Sequence, residues 1–346
     1  MDFSLGMLVR GIAAASLACA VSLTAAQPGQ AQDKKPLIGV SMSRQEEQRW
    51  VFDRAAMEAE AAKLGADIVF LYANNDQTKQ AAQVESLIAQ QPDVIMLNPV
   101  DREAAGSIVN AVRDAGIPII DYEGGITTAK PDYYVTRDNY EAGTLQMTEA
   151  AKFAPKGNYA FVNGNPTWGG WKPTVNAYKD KLATMKDVKV VFDQNGDWDP
   201  AKAQTKAENA LSANSDKIDA FIVMNDGMAT GVVAALRARD LLGKVYVSGV
   251  DGETSALNRI AKGEQTMTIY TDLVEEGSSA VRAAVAFAKG EKPVVDKMVD
   301  NGAGEVPTRV VPLIAVTKAN LCDAIKVMPQ GWTTVEAVFE DANACK

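Results

Sequence analysis

The chain has 346 residues, nearly half of them apolar and about a quarter charged, a net charge of −9 and no histidine. This length exceeds one comfortable hydrophobic core and calls for two domains, and an acidic balance without a basic run gives no electrostatic footprint for nucleic acid. Without histidine, Ser-His-Asp and Cys-His catalysis and histidine-ligated metals are excluded, so any acid-base chemistry would fall to carboxylates or lysines.

In chain order, MDFSLGMLVRGIAAASLACAVSLTAAQPGQA comes first: Arg10 precedes a run of small and apolar residues, and Gly29 and Ala31 supply the small side chains of a cleavage site. Residues 1–31 therefore read as a secretory signal peptide cleaved near Ala31, and the mature chain, from Gln32, is expected in the periplasm. A lipoprotein would use Cys19 as its acylated residue, but Leu17 stands one place too close to that cysteine for the usual lipobox. No later segment has about 18 consecutive apolar residues, the length of a membrane span.

From Leu37 onward, short β-rich runs alternate with amphipathic stretches. LIGVSMS, ADIVFLY, VIMLNP and IPIIDY read as strands, separated by EEQRWVFDRAAMEAEAAKL, TKQAAQVESLIAQ and REAAGSIVNAVRDAG with apolar residues at helical spacing. The alternation resumes with NYAFVNG, VKVVFDQ, IDAFIVMN, VYVSGVD and TMTIYT, with helices over 173–185, 200–213, 228–241 and 254–262. This order implies parallel sheets covered on both faces. Asp199 and Pro200 fit an N-cap and first helical position, which accounts for Asp199 without catalysis. Once Cys19 leaves with the signal, Cys322 and Cys345 remain in an oxidising compartment and are expected to pair, two free thiols being the alternative. Closing such a loop contributes about 3 kcal/mol in the chain-entropy account.

Residues 93–125 can be laid over 219–253: each segment is a buried strand ending in Asn (Asn98, Asn225), a helix, and a second strand ending in Asp (Asp121, Asp251). The repeat suggests two doubly wound Rossmann-like domains, whose ligand lies beyond the carboxyl ends of the strands, in a cleft between facing domains. Amides and carboxylates suit a polyhydroxylated molecule, since Asn donates and accepts while Asp accepts. Trp50, Tyr122, Trp168, Trp171, Trp198 and Tyr270 stand at strand ends or turns and offer apolar faces for sugar C–H groups, with core filling as the competing role. No GxGxxG or GxxxxGK[ST] occurs in the expected context, and DQNGDWD at 193–199 departs from calcium-loop spacing, so no cofactor or metal is expected. Asp121 and Asp251 on opposite domains favour clamping a ligand over hydrolysing a glycosidic bond.

Arg49-Trp50, DNYEAG (138–143), DPAKAQTKAENAL (199–211), SGVDGE (248–253), RIAKGEQTMTIY (259–270) and DNGAGEVPTR (300–309) together resemble the periplasmic sugar-binding proteins of the ribose-binding type, nearest their D-xylose-binding and multiple-sugar-binding branch. The resemblance implies the type I periplasmic binding protein fold, closing by hinge motion around one sugar or polyol and delivering it to an ABC permease. It implies a non-enzyme and a monomer, with a chemoreceptor as a further partner if the closed form is a sensor, and an exported carbohydrate-acting enzyme as the remaining alternative. Lobe boundaries are expected at 37–138 plus 272–301 and at 139–271 plus 302–346, with hinge crossings near 137–139, 271–272 and 300–302.

Carried over by position, the resemblance assigns Arg49, Trp50, Asp121 and Asn139 to the first wall or hinge, and Trp198, Asn225 and Asp251 to the second. Asn98 is a weaker member of the set. Three departures stand out. Tyr122 stands where relatives place arginine, Thr271 stands where they often place Lys or Gln, and NPTWGGWK brings Trp168 and Trp171 where amides are usual. Each change removes a long polar donor, which points to a ligand other than xylose or ribose: a deoxy-sugar, a smaller polyol or a less hydroxylated compound.

Overall fold

The computed structural model describes residues 35–45 and 48–346. The signal segment 1–31 and Cys19 lie outside the described residues. In chain order the first part runs β1 (Leu37–Met42), α1 (Gln48–Leu64), β2 (Asp67–Tyr72), α2 (Gln77–Ala89), β3 (Val94–Leu97), α3 (Ala105–Asp114), β4 (Ile119–Tyr122) and β5 (Tyr133–Arg137). The second runs α4 (Asn139–Phe153), β6 (Gly157–Asn163), α5 (Trp171–Ala183), β7 (Val188–Asn195), α6 (Pro200–Ala213), β8 (Ala220–Val223), α7 (Asp226–Arg237), β9 (Tyr246–Val247), α8 (Thr254–Lys262) and β10 (Met267–Thr271). There follow α9 (Leu273–Ala288), β11 (Lys297–Asp300), β12 (Glu305–Val311), β13 (Leu313–Thr317), α10 (Leu321–Val327) and α11 (Val335–Phe339).

The first lobe is one sheet in the order β11-β12-β5-β4-β3-β1-β2, parallel except for β11. Helices cover both of its faces, so β1, β3 and β4 read as near-continuous apolar runs with Ile38, Val40, Val94, Ile95, Met96, Leu97, Ile119 and Ile120 fully buried. Each such side chain contributes about 1.5–3 kcal/mol relative to exposure. The second lobe repeats the winding as β7-β6-β8-β9. Its sheet is extended by bonds from Asp251 N to Ile269 O (2.7 Å) and Ile269 N to Gly249 O (3.2 Å), which bring β10 beside the segment after β9, with β13 antiparallel beyond.

Chain crossings join the lobes after Arg137, after Thr271 and at Pro312, between β12 and β13. The third crossing was expected at 300–302, and the boundary moves because β12 pairs in parallel with β5, Thr308 opposite Tyr134 and Val311 opposite Arg137. The glycines at 302 and 304 instead turn the β11–β12 hairpin of the first lobe. Asx caps start several helices: Asp138 accepts from Tyr140 N and Glu141 N, Asp199 from Ala201 N and Lys202 N with Pro200 at the first position, and Asp272 from Glu275 N. The tail after β13 is closed by a Cys322–Cys345 disulfide and packs α11 on α8.

Candidate functional site

The carboxyl ends of the strands of both lobes face a cleft of about 690 Å³. Its floor holds two carboxylates in matching places. Glu123 follows β4 and bonds through its N–H to Val135 O (2.9 Å), while Asp251 follows β9 and bonds to Ile269 O. Both have left-handed backbones, φ 59° and φ 104°, as do Asp197 and Trp198 on the rim, at φ 54° and 65°. Non-glycine residues rarely adopt this region, and such strain gathers at functional sites.

Two buried arginines join the carboxylates. Arg49, from the first turn of α1, lies 3.6 Å from both Glu123 and Asp251, and Arg137, at the end of β5, lies 4.0 Å from Glu123 and 3.4 Å from Asp251. Arg49 also reaches Asp53 (3.2 Å) and Glu276 (2.9 Å), and Arg137 donates to Asn139 Oδ1 (3.1 Å) and Thr271 Oγ1 (3.2 Å). Burial opposes charge on Arg49, but Asp53, Glu276, Glu123 and Asp251 together hold it well above its usual value. Burial likewise opposes charge on Glu123; Arg137, Arg49 and a hydrogen bond with Glu276 overcome it and bring the carboxyl down to about 2. Glu276 is driven the other way, by burial and by the neighbouring Glu123 charge.

The walls are aromatic. Arg49 lies 4.5 Å over the Trp50 ring, Arg44 lies 5.9 Å over Trp50 and 5.5 Å over Trp198 of the other lobe, and Arg137 lies 5.7 Å over Trp168. Trp168 and Trp198 meet edge to face at 5.4 Å. Across the cleft, Trp168 Nε1 donates to Glu123 O (3.0 Å), Gly169 N to Gly124 O (3.0 Å) and Arg102 N to Thr167 O (3.3 Å). The Gly124–Gly169 approach needs bare backbone, since a Cβ on Gly169 would lie 2.2 Å from Gly124 O.

Of the residues expected at the site, Arg49, Trp50, Asn98, Trp168, Trp198, Asn225 and Asp251 line this cleft. Two of them are also structural: Asn98 accepts from Ser43 Oγ and donates to Tyr122 O (2.9 Å), and Asn225 Oδ1 caps α7 through Met228 N (2.9 Å). Asp121 does not face the cleft. Its carboxylate accepts from Gly124 N (3.0 Å) and Ile126 N (2.8 Å), holding the turn that presents Glu123, and burial raises it to about 7. Tyr122 points into the core, where its hydroxyl donates to Asp53. Neither residue lines this cleft.

Asn139 lines a separate cavity of about 870 Å³ that also takes in Asp121 and Arg137. Thr271 is buried beneath Arg137, and Trp171 packs on the second lobe's core. Glu123, Arg137, Ser43 and Arg44 belong to the cleft and were missed. A signal for Glu123 was present: sliding the internal repeat by two residues lays Glu123-Gly124 on Asp251-Gly252, an acid before a glycine in both lobes.

Residues 38–292 match the family model described as a periplasmic binding protein domain. The chain belongs to that family. It is 34% identical to the D-xylose-binding periplasmic protein of Escherichia coli (strain K12) over 299 residues, 85% of this chain and 91% of the relative. It is 30% identical to a putative rhizopine-binding protein of Rhizobium meliloti over 295 residues, 83% of this chain and 91% of that one. Among solved structures, an ABC transporter solute binding protein from Bacillus halodurans C-125 with bound myo-inositol superposes with a TM-score of 0.75 at 31% identity, covering 85% of this chain and 98% of its own. The family's two-lobed α/β architecture is the one described above.

Proposed function

We propose that this protein is the periplasmic solute-binding component of an ABC importer and binds one neutral monosaccharide or cyclitol in the 690 Å³ cleft. The observation that carries the reading is the floor: one carboxylate from each lobe, Glu123 and Asp251, held by both Arg49 and Arg137. A vicinal diol offers O–H donors to the carboxylates and oxygen acceptors to the guanidinium groups, while tryptophans cover its C–H faces. Glu123 and Asp251 engage both arginines, and Asp53 and Glu276 engage Arg49 as well, so neither guanidinium of the floor is left over to pair with an anionic ligand. A relative named for xylose and a solved structure with bound myo-inositol support the same class.

The sequence argument against xylose or ribose loses two of its three grounds, because Tyr122 and Thr271 do not line the cleft. The Trp168 loop remains, and it closes the cleft onto Gly124. Closure follows from differential affinity: a ligand touching both walls favours the state in which they meet, and that state is the one offered to the permease. A thermal-shift screen over pentoses, hexoses, inositols and acyclic polyols tests the reading, since a ligand that binds only the folded chain raises its melting temperature. A flat response across these classes, with a shift for amino acids or organic anions, would sink it.

A further inference from the structure

The Asp251 carboxylate sits on a turn held from several segments of the chain. Asp251 at φ 104° and Gly252 at φ 67° are consecutive left-handed residues, and Gly252 packs so closely on Tyr270 that a Cβ would lie 3.1 Å from its Cβ. The N–H groups of this turn are bound within the lobe: Asp251 N to Ile269 O, Gly252 N to Thr268 Oγ1 (3.2 Å) and Glu253 N to Asp226 Oδ2 (3.0 Å). The Gly252 carbonyl is bound from the C-terminal tail, by Trp332 Nε1 at 2.7 Å, and Thr254 Oγ1 returns a bond to Trp332 O at 2.8 Å.

Trp332 is buried, with its ring edge to face with Phe52 at 4.9 Å and with Tyr270 at 6.1 Å. Phe52 is on α1, the helix that carries Arg49, and Arg49 is 3.6 Å from Asp251. The indole therefore touches the supports of both members of that ion pair, one in each lobe. It lies midway along the tail loop that Cys322–Cys345 closes.

We propose that Trp332 is a positioning residue for ligand recognition, holding the Asp251 turn in place from a tail that the disulfide fastens. The affinity arm of its test rests on the ligand reading above; the exchange arm does not. Trp332→Phe keeps a ring for Phe52 and Tyr270 but cannot donate to Gly252 O. Amide hydrogen exchange at Asp251 and Gly252 is expected to quicken about tenfold, as for one lost hydrogen bond, with β6 amides unchanged. Affinity for the probes D-xylose and myo-inositol, measured by calorimetry, is expected to fall by about the same factor.

Wild-type exchange at both amides would overturn the proposal, as would a lowered melting temperature with wild-type affinity. If the wild-type chain binds neither probe, exchange alone decides. Reduction of the disulfide in the folded wild-type chain is the second arm, independent of whether W332F folds. The same two amides should quicken, and unchanged rates would overturn the fastened-tail role.

Discussion

The acids at the end of β4 have opposite roles two residues apart. Asp121 spends its oxygens on the turn amides, whereas Glu123 faces both arginines at the floor of the cleft. Glu123→Gln is therefore expected to weaken ligand binding about 30-fold or more, as truncation of a buried charge partner does, measured by calorimetry. Asp121→Asn keeps only one of the two acceptors that hold the Glu123 turn, so it should cost less affinity than Glu123→Gln while changing the pH profile of stability. The Asp121 carboxyl, raised by burial to about 7 from 3.8, keeps a proton in the folded chain that the unfolded chain releases. That contribution is complete below about pH 4 and is lost as pH rises through about 7. Thermal melts between pH 4 and 8 should fall less steeply with pH for D121N than for wild type; equal slopes would contradict the assignment. Sequence reasoning chose Asp121 because it ended an apolar run, but the acid that lines the cleft lies past the strand, in a left-handed turn that periodicity does not report.

At the scale of elements, most strands of both windings were legible as apolar runs, and Pro200–Ala213, capped by Asp199, and Thr254–Lys262 lie at their expected bounds, whereas β5, α4 and α9 were not read from the sequence. The third crossing was not legible. Glycines at 302 and 304 look alike in a hinge and in a hairpin, and only the pairing of β12 with β5 distinguishes them. Glycine contacts between elements give two further predictions. A Cβ on Gly231 would lie 2.0 Å from Pro200 O, where α7 crosses α6, so Gly231→Ala should destabilise the second lobe by about 1–3 kcal/mol in denaturant titrations. A Cβ on Gly169 would strike Gly124 O and Gly125 Cα, both backbone atoms that cannot turn aside. Gly169→Ala should keep the wild-type melting temperature without ligand but lose most of the ligand-induced shift.

For the whole molecule, three crossings, an arginine at the first of them and an aromatic tail behind Asp251 surround one cleft floored by paired charges. The floor draws Arg49, Glu123 and Arg137 from the first lobe and Asp251 from the second, so the full set exists only where the lobes meet. Family resemblance carried the fold and solute class from sequence; which side chains face the ligand depended on register and turn geometry. Calorimetric titration of the wild-type chain with D-xylose, D-ribose, myo-inositol and xylitol tests the central claim most directly. The account predicts saturable binding of at least one of them at one molecule per chain, with an affinity that salt hardly changes because the ligand is neutral. Absence of binding by all four, or binding confined to charged solutes and weakened by salt, would contradict it.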